Sequence, residues 1–143
     1  MFTGSAKTEY GCLAMMELAS RYESSEATRV GDIAERQGIP AGFLVQILLQ
    51  LKAAGLVAST RGAGGGYRLA RAPREITLAD IVCAIEGRPE PATGHAKRAS
   101  SCSAVLAETW NELRELQHGW LADITLETLL ERLAEAPAEM YYI

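Results

Sequence analysis

The sequence predicts a mainly α-helical fold with one small β-hairpin, built around a helix-turn-helix pair. Apolar residues recur at helical spacing through most of the chain, and a turn of about three residues at Gly38 separates two helical segments. A glycine tract at 62–66 separates two short β-prone segments, as in a hairpin. The chain has 143 residues, 48% apolar and 22% charged, so we expect one domain with a genuine core rather than disorder.

Capping residues justify each element in order. Thr28 is predicted to cap the second helix, Gly38 to follow its end in a left-handed conformation, and Pro40 to lie in the first turn of the third. Thr77 is predicted to cap the fourth helix, and Thr125 the last. The helices are predicted at 5–22, 30–37, 40–54, 77–86, 102–122 and 126–136, and the hairpin at 56–71.

That order of elements is typical of a winged helix-turn-helix with a C-terminal helical extension. We expect a DNA-binding domain at residues 1–87, a loop at 88–101, and dimerisation helices with a short tail at 102–143. The chain shows no secretory signal and no apolar run long enough for a membrane helix. Three cysteines, an odd number, do not suggest a disulfide framework. These features favour a cytoplasmic protein without membrane contact.

The charge distribution favours a nucleic-acid partner although the net charge is −4. Residues 1–75 carry nine basic and seven acidic side chains, whereas residues 76–143 carry five and eleven. The 39 residues from Arg36 to Arg74 contain six basic side chains and no carboxylate. Such a stretch inside an acidic protein is expected of a surface that faces phosphates, although clustering on a solvated face is the alternative.

The third helix has a buried stripe and an opposite face suited to base contacts. Leu44, Ile47, Leu48 and Leu51 follow the spacing of one buried face. In a helix-turn-helix pair the second helix enters the major groove. Gln46 is predicted to read adenine, and Val45 and Leu49 to meet thymine methyl groups. The alternative is that the glutamines of this face are merely solvated.

The glycine tract is predicted to be the tip of a wing rather than a nucleotide-binding loop. It lacks the Gly-Lys-Ser/Thr ending and precedes a strand instead of a helix. Glycine permits positive φ and the close approach of a polyanion. Arg61 and Arg68, which flank the tract, suit phosphate or minor-groove contacts.

The segment DIAERQGIPAGFLVQILLQLKAAGLVASTRGAGGGYRLAR, followed by ITLADIVCAIEG, resembles a family of bacterial transcription regulators that includes IscR, NsrR and CymR. The resemblance runs from about residue 7 to 87 and resumes at WNELRELQHGWLADITLETLL. It implies a winged helix-turn-helix regulator that binds operator DNA as a dimer. The residues assigned to DNA are Thr28, Ala41, Gly42, Val45, Gln46, Leu49, Gln50, Lys52, Arg61, Gly62, Gly64, Gly65, Gly66, Tyr67 and Arg68.

The cysteine pattern departs from the iron–sulfur sensors of that family. Several members hold a cluster on three cysteines of the loop, whereas this loop and its exit offer only Cys102 and His95. Cys12 and Cys83 lie on predicted helices and read as small buried side chains. We therefore expect no cluster and no other metal. A sensor role for Cys102 and His95 is the minor alternative. No nucleophile pattern accompanies the two histidines, so an enzyme is not expected.

The long helix is predicted to form a two-fold dimer. Apolar residues recur along it at spacings of three, four or seven, interrupted by Gln117, and two of them are tryptophans. The seam consists of Leu106, Trp110, Leu113, Trp120 and Ile124. A winged-helix module that docks another protein through Val45 and Leu49 is the rival function. The effector, the operator, and activation or repression are not deducible from the sequence.

Overall fold

A computed structural model describes residues 4–88 and 97–137, and its architecture confirms the predicted mainly α-helical fold with one β-hairpin. The elements follow the predicted order. Their bounds are α1 Ala6–Ser20, α2 Val30–Gln37, α3 Ala41–Ala53, β1 Val57–Thr60, β2 Gly66–Leu69, α4 Leu78–Glu86, α5 Ser101–Asp123 and α6 Leu126–Glu135. Short 3₁₀ turns lie at Tyr22–Ser24 and Pro73–Glu75.

The helix-turn-helix pair of α2 and α3 has the predicted turn but a different start. Gly38 adopts φ 66° after α2, and Pro40 directly precedes α3. The predicted cap at Thr28 is wrong, because Arg29 is the residue that precedes α2. Thr28 is instead 5% exposed, and its backbone exchanges two 2.8 Å hydrogen bonds with Tyr67. The tertiary contact with Tyr67 therefore determines the conformation of Thr28, which local capping rules assign to the start of α2.

The hairpin of β1 and β2, residues 57–69, is called the wing below, and residues 61–65 are its tip. The strands are antiparallel, with Val57 opposite Leu69 and Thr60 opposite Gly66. The bridge to Thr28 lies on the other edge of β2. Consequently β2 lies between β1 and the backbone that leads into α2, which joins the wing to the helix-turn-helix pair.

The core confirms the predicted stripe of α3. All four residues, Leu44, Ile47, Leu48 and Leu51, have no exposed surface. They pack in one cluster with apolar side chains of α1, α2, α4 and the wing. Burying each such side chain stabilises the fold by about 1.5–3 kcal/mol before the entropy of ordering is subtracted. The position of α3 is thus set from its inner side, which leaves its outer face free for a partner.

The last helix, α6, shares that core although the predicted division placed it with the dimerisation helices of 102–143. Leu126 has no exposed surface and belongs to the core cluster. The Leu78 N–H donates to the Ile124 carbonyl at 2.8 Å, and the Leu126 N–H donates to the Ile76 carbonyl at 2.9 Å. These bonds tie the start of α6 to the start of α4, so α6 is part of the winged body.

The 23-residue helix α5 begins at Ser101 and ends at Asp123, one residue beyond each predicted end. Ser100 and Ser103 exchange side-chain-to-backbone hydrogen bonds of 3.0 and 2.8 Å, which cap its first turn. None of its residues is buried. Ile124 is a correction to the predicted seam: it follows the helix and is 7% exposed, because the chain turns inward there. No helix among the described residues is long and apolar enough to cross a membrane.

Candidate nucleic-acid interface

The outer face of α3 carries apolar side chains that no described part of the chain covers. Val45 is 41% exposed and Leu49 is 53% exposed, with Gln46 exposed beside them. Ala41 and Gly42 are exposed in the first turn, and a Cβ built on Gly42 would meet no atom within 4 Å. Glycine inside a helix costs roughly 0.5–1 kcal/mol relative to alanine. Packing therefore does not require glycine at position 42, and the first turn of α3 has open space on this side.

Two other predicted contacts of α3, Gln50 and Lys52, differ in their surroundings. Gln50 is half-buried, and its Oε1 is enclosed without a hydrogen-bond partner among the described residues. The Lys52 ammonium donates to the Ser59 hydroxyl oxygen at 2.7 Å. Lys52 therefore links the last turn of α3 to β1 of the wing.

The glycines of the tract differ in what the structure demands of them. Gly62 and Gly66 have positive φ values of 102° and 148°. A Cβ on Gly66 would lie 2.3 Å from the Thr28 carbonyl oxygen, and one on Gly65 would lie 2.5 Å from the Thr60 carbonyl oxygen. Gly64 has neither constraint: its φ is outside the left-handed region, and nothing lies within 4 Å.

Two exposed arginines of the wing carry free positive charge. Arg61 and Arg68 are exposed, and neither forms an ion pair within the described ranges. In contrast, Arg36, which the sequence also placed in the basic stretch, binds the Glu17 carboxylate at 2.8 Å. Arg68 also lines an open cavity with Ser25, in front of α2. Arg36 is thus neutralised within the protein, whereas Arg61 and Arg68 stay available to a polyanion.

Three residues at the junction of the wing and α2, namely Thr28, Arg29 and Tyr67, make contacts within the protein. Thr28 is buried and Tyr67 half-buried, and their mutual backbone bonds place them behind the exposed surface. Sequence reasoning missed Arg29. Its guanidinium Nη2 donates to the Ala63 carbonyl at the wing tip. The only signal in the sequence is a basic residue directly before a predicted helix.

The thiols do not gather into a metal site. Cys12 on α1 and Cys83 on α4 are half-buried, and Cys102 is exposed in the first turn of α5. Burial raises the pKa of the Cys12 thiol to about 11, with a smaller contribution from the nearby Glu9 and Glu86 carboxylates. Across residues 4–88 and 97–137 no group of three or more potential ligands converges. His95 lies outside the described residues.

Comparison with known proteins gives matches over most of the chain. The profile of the Rrf2 family, described as iron-dependent transcriptional regulators, matches residues 4–132. An Rrf2-like HTH-type regulator of Rhodobacter capsulatus is 44% identical over 87 residues, which are 59% of this chain and 58% of that protein. That alignment thus spans less than two thirds of the relative.

Two solved structures are similar over nearly their full length. IscR of T. potens has a TM-score of 0.77 and 35% sequence identity, covering 99% of this chain and 97% of that chain. CymR, the global cysteine regulator of B. subtilis, has a TM-score of 0.78 and 32% identity, covering 92% of this chain and 98% of that chain. Both similarities extend beyond the wing into the C-terminal helices.

Proposed function

Because this chain belongs to the Rrf2 family of transcriptional regulators, we propose that it acts as a homodimer on a near-palindromic operator. Family membership makes it a DNA-binding regulator of transcription with a winged-helix fold, and not an enzyme. We further propose that its ligand is double-stranded DNA and that it acts in the bacterial cytoplasm. The exposed surfaces described above support both the proposed DNA contacts and the proposed mode of assembly.

In the proposed complex α3 enters the major groove with its first turns. Helix-turn-helix proteins place the N-terminal residues of this helix against base edges. The Gln46 amide suits adenine, which offers one acceptor and one donor in the groove. Val45 and Leu49 suit the methyl groups of thymine, which explains why apolar side chains stay exposed beside Gln46. Gly42 supports the same orientation, since its missing side chain permits close approach.

The wing supplies contacts to the DNA backbone in this proposal. Arg61 is an exposed, unpaired cation at the tip, and its planar guanidinium matches a phosphate. Gly64 adds a backbone that phosphates can approach without steric hindrance. Arg68 lies on β2, toward the cavity in front of α2, and contributes long-range attraction.

The exposed apolar surface of α5 supports the proposed homodimer. Its 23 residues include none that the chain itself buries, yet it exposes Leu106, Trp110 and Trp120. Val105 and Leu116, which the predicted seam did not include, are 62% and 72% exposed. At 100° per residue these two lie about 80–100° from Leu106, so the apolar face is broader than one seam.

A second copy of α5 is the occupant that fits this face. Aromatic side chains contribute large contact areas, so leaving two tryptophans in water is unfavourable. The 23 residues span about 34 Å at 1.5 Å per residue, long enough for a stable helix pair. Two-fold symmetry presents the same face on both subunits, and most soluble oligomers are closed in this way. The two α3 helices would then meet half-sites about 34–36 Å apart, or a multiple of that distance.

We also propose that regulation proceeds without a resident iron–sulfur cluster. Such clusters are held by about four thiolate or imidazole ligands. Here the described thiols lie on three different helices, and no set of three ligands converges among the described residues. The raised pKa of Cys12 further disfavours its thiolate, the form that binds iron. Among the described residues, the donor set therefore does not fit the iron that the family description names.

An equilibrium titration of labelled duplex DNA tests the DNA contacts. Between about 50 and 200 mM salt the affinity should fall steeply, because phosphate contacts release counterions. Arg61→Ala should reduce the slope of log affinity against log salt by about 1. Arg132→Ala, at an exposed position of α6, removes the same charge from the winged body and should leave the slope unchanged. Equal behaviour of the two variants would contradict the assignment of the wing.

A further inference from the structure

The start of α2 is attached to the wing at two points. Thr28 exchanges backbone hydrogen bonds of 2.8 Å with Tyr67 on β2. The next residue, Arg29, donates from Nη2 to the Ala63 carbonyl at the wing tip. Consecutive residues thus hold the strand and the tip of the same hairpin.

The hydrogen bond from Arg29 is important for the position of the wing tip, because the tip makes few other contacts with the described part of the chain. The ladder between β1 and β2 ends at the pair Thr60 and Gly66. Beyond it, the Gly65 N–H donates to the Gly62 carbonyl at 2.9 Å, a bond that lies within the tip itself. Among the described contacts, the hydrogen bond from Arg29 is the one that connects the tip to the helix-turn-helix pair.

Arg29 could in principle serve DNA directly, as an exposed cation before a helix. Two observations favour the internal role. Its guanidinium is already directed at a carbonyl oxygen of the tip. The cavity between α2 and the wing is lined by both Arg29 and Asp32, and a carboxylate there weakens the attraction for a phosphate.

We propose that Arg29 is a positioning residue that holds the wing tip against the start of α2. The tip then presents Arg61 and Gly64 at a set distance from α3, so that helix and wing engage DNA together. This inference rests on the proposed function for its effect on DNA, whereas the tether itself is a property of the free protein. The two parts can therefore be tested separately.

The first arm measures amide hydrogen exchange in the free full-length chain. Arg29→Met keeps an unbranched stem but has no donor, and it should accelerate exchange of the Gly65 amide about five- to tenfold. The Leu48 amide in the buried part of α3 should not change, which reports an intact fold. Arg29→Lys, which retains a donor, should restore most of the protection. An unchanged Gly65 amide in Arg29→Met would overturn the proposal.

The second arm is a double-mutant cycle in DNA affinity. Arg61→Ala and Arg29→Met should each weaken binding, and the loss in the double variant should be clearly smaller than the product of the two single losses, because both act through the tip. Losses that multiply would mean that Arg29 contacts DNA itself, which overturns the positioning role. If the Gly65 amide responds as expected while Arg61→Ala leaves affinity unchanged, the tether stands and the proposed DNA contact of the wing fails.

Discussion

Replacing Gly66 by alanine should disrupt the backbone pairing between the wing and the segment that leads into α2. Gly66 has φ 148°, and a Cβ there would lie 2.3 Å from the Thr28 carbonyl oxygen. That oxygen accepts the Tyr67 N–H, so the new methyl group competes with the bond that pairs β2 with the backbone before α2. The obstacle is main chain rather than a flexible side chain, and relief requires the two segments to separate.

The expected loss of stability can be worked out from the hydrogen bonds that are broken when the two segments separate. The two hydrogen bonds between Thr28 and Tyr67 contribute roughly 0.5–1.5 kcal/mol each to the net stability. Holding alanine at this φ adds about 1–3 kcal/mol of backbone strain if the segments stay in place. Because one cost partly replaces the other, we expect a loss of about 2–4 kcal/mol in the free energy of unfolding. For a domain near this size the melting temperature should fall by roughly 5–15 °C.

Gly64→Ala provides the matched control, two residues away in the same tract. Nothing lies within 4 Å of its built Cβ, and its φ is outside the left-handed region. Its stability should be unchanged or rise by up to about 1 kcal/mol, since alanine restricts the unfolded chain. Thermal unfolding followed by circular dichroism compares the two variants. Equal melting temperatures for Gly64→Ala and Gly66→Ala would refute the reasoning, whatever their effects on DNA.

Four further outcomes are expected. Gln46→Ala should relax preference at one base pair at a cost of about 1–3 kcal/mol, measured by competition with substituted duplexes. Trp120→Glu should reduce the mass seen by light scattering from twice the 15.4 kDa of one chain to a single chain, whereas Glu115→Gln should leave the dimer intact. Protein purified without oxygen should be colourless and lack stoichiometric iron, and a brown preparation bleached by Cys102→Ala would contradict this. The raised pKa of Cys12 favours the protonated thiol in the folded state, so its contribution to stability is present below pH 9.0 and is lost toward about pH 11. The free energy of unfolding of Cys12→Ala should therefore fall less over that interval than that of the parent.

Local rules recovered the parts of the fold that local interactions decide. The reciprocal bonds of Thr77 and Asp80, 3.1 and 2.9 Å long, cap α4 as the sequence predicts. The left-handed Gly38 and the buried stripe of α3 are also as predicted. In each case the residues involved lie within one helix or its flanks, where spacing alone defines the neighbours.

The failures arise where distant segments compete for a residue. Thr28 has the side chain of a cap, but pairing with Tyr67, 39 positions further along the chain, determines its backbone. Ile124 continues the spacing of the α5 seam, yet the chain turns into the core at that point. Helical periodicity indicates which side chains share a face, but it does not indicate which of those side chains the rest of the protein buries. The exposure of Val105 and Leu116 therefore required the structure.

The candidate site shows the same division. The exposure of Val45, Gln46 and Leu49 is the complement of the buried stripe, so the sequence suffices to expect it. The tether from Arg29 to Ala63 joins residues 34 positions apart, and no local pattern specifies such a bond. The distinction between Gly64 and Gly66 likewise depends on which backbone lies opposite each of them.

Selection of DNA fragments from a random pool by the purified chain, followed by sequencing, tests the central claim most directly. A homodimer that reads each half-site through α3 should enrich inverted repeats whose centres are separated by about 10–10.5 base pairs or a multiple of that spacing. Thymine and adenine should be prominent where Val45, Leu49 and Gln46 meet the bases. Enrichment of a single site without two-fold symmetry, or no enrichment over the starting pool, would contradict the account.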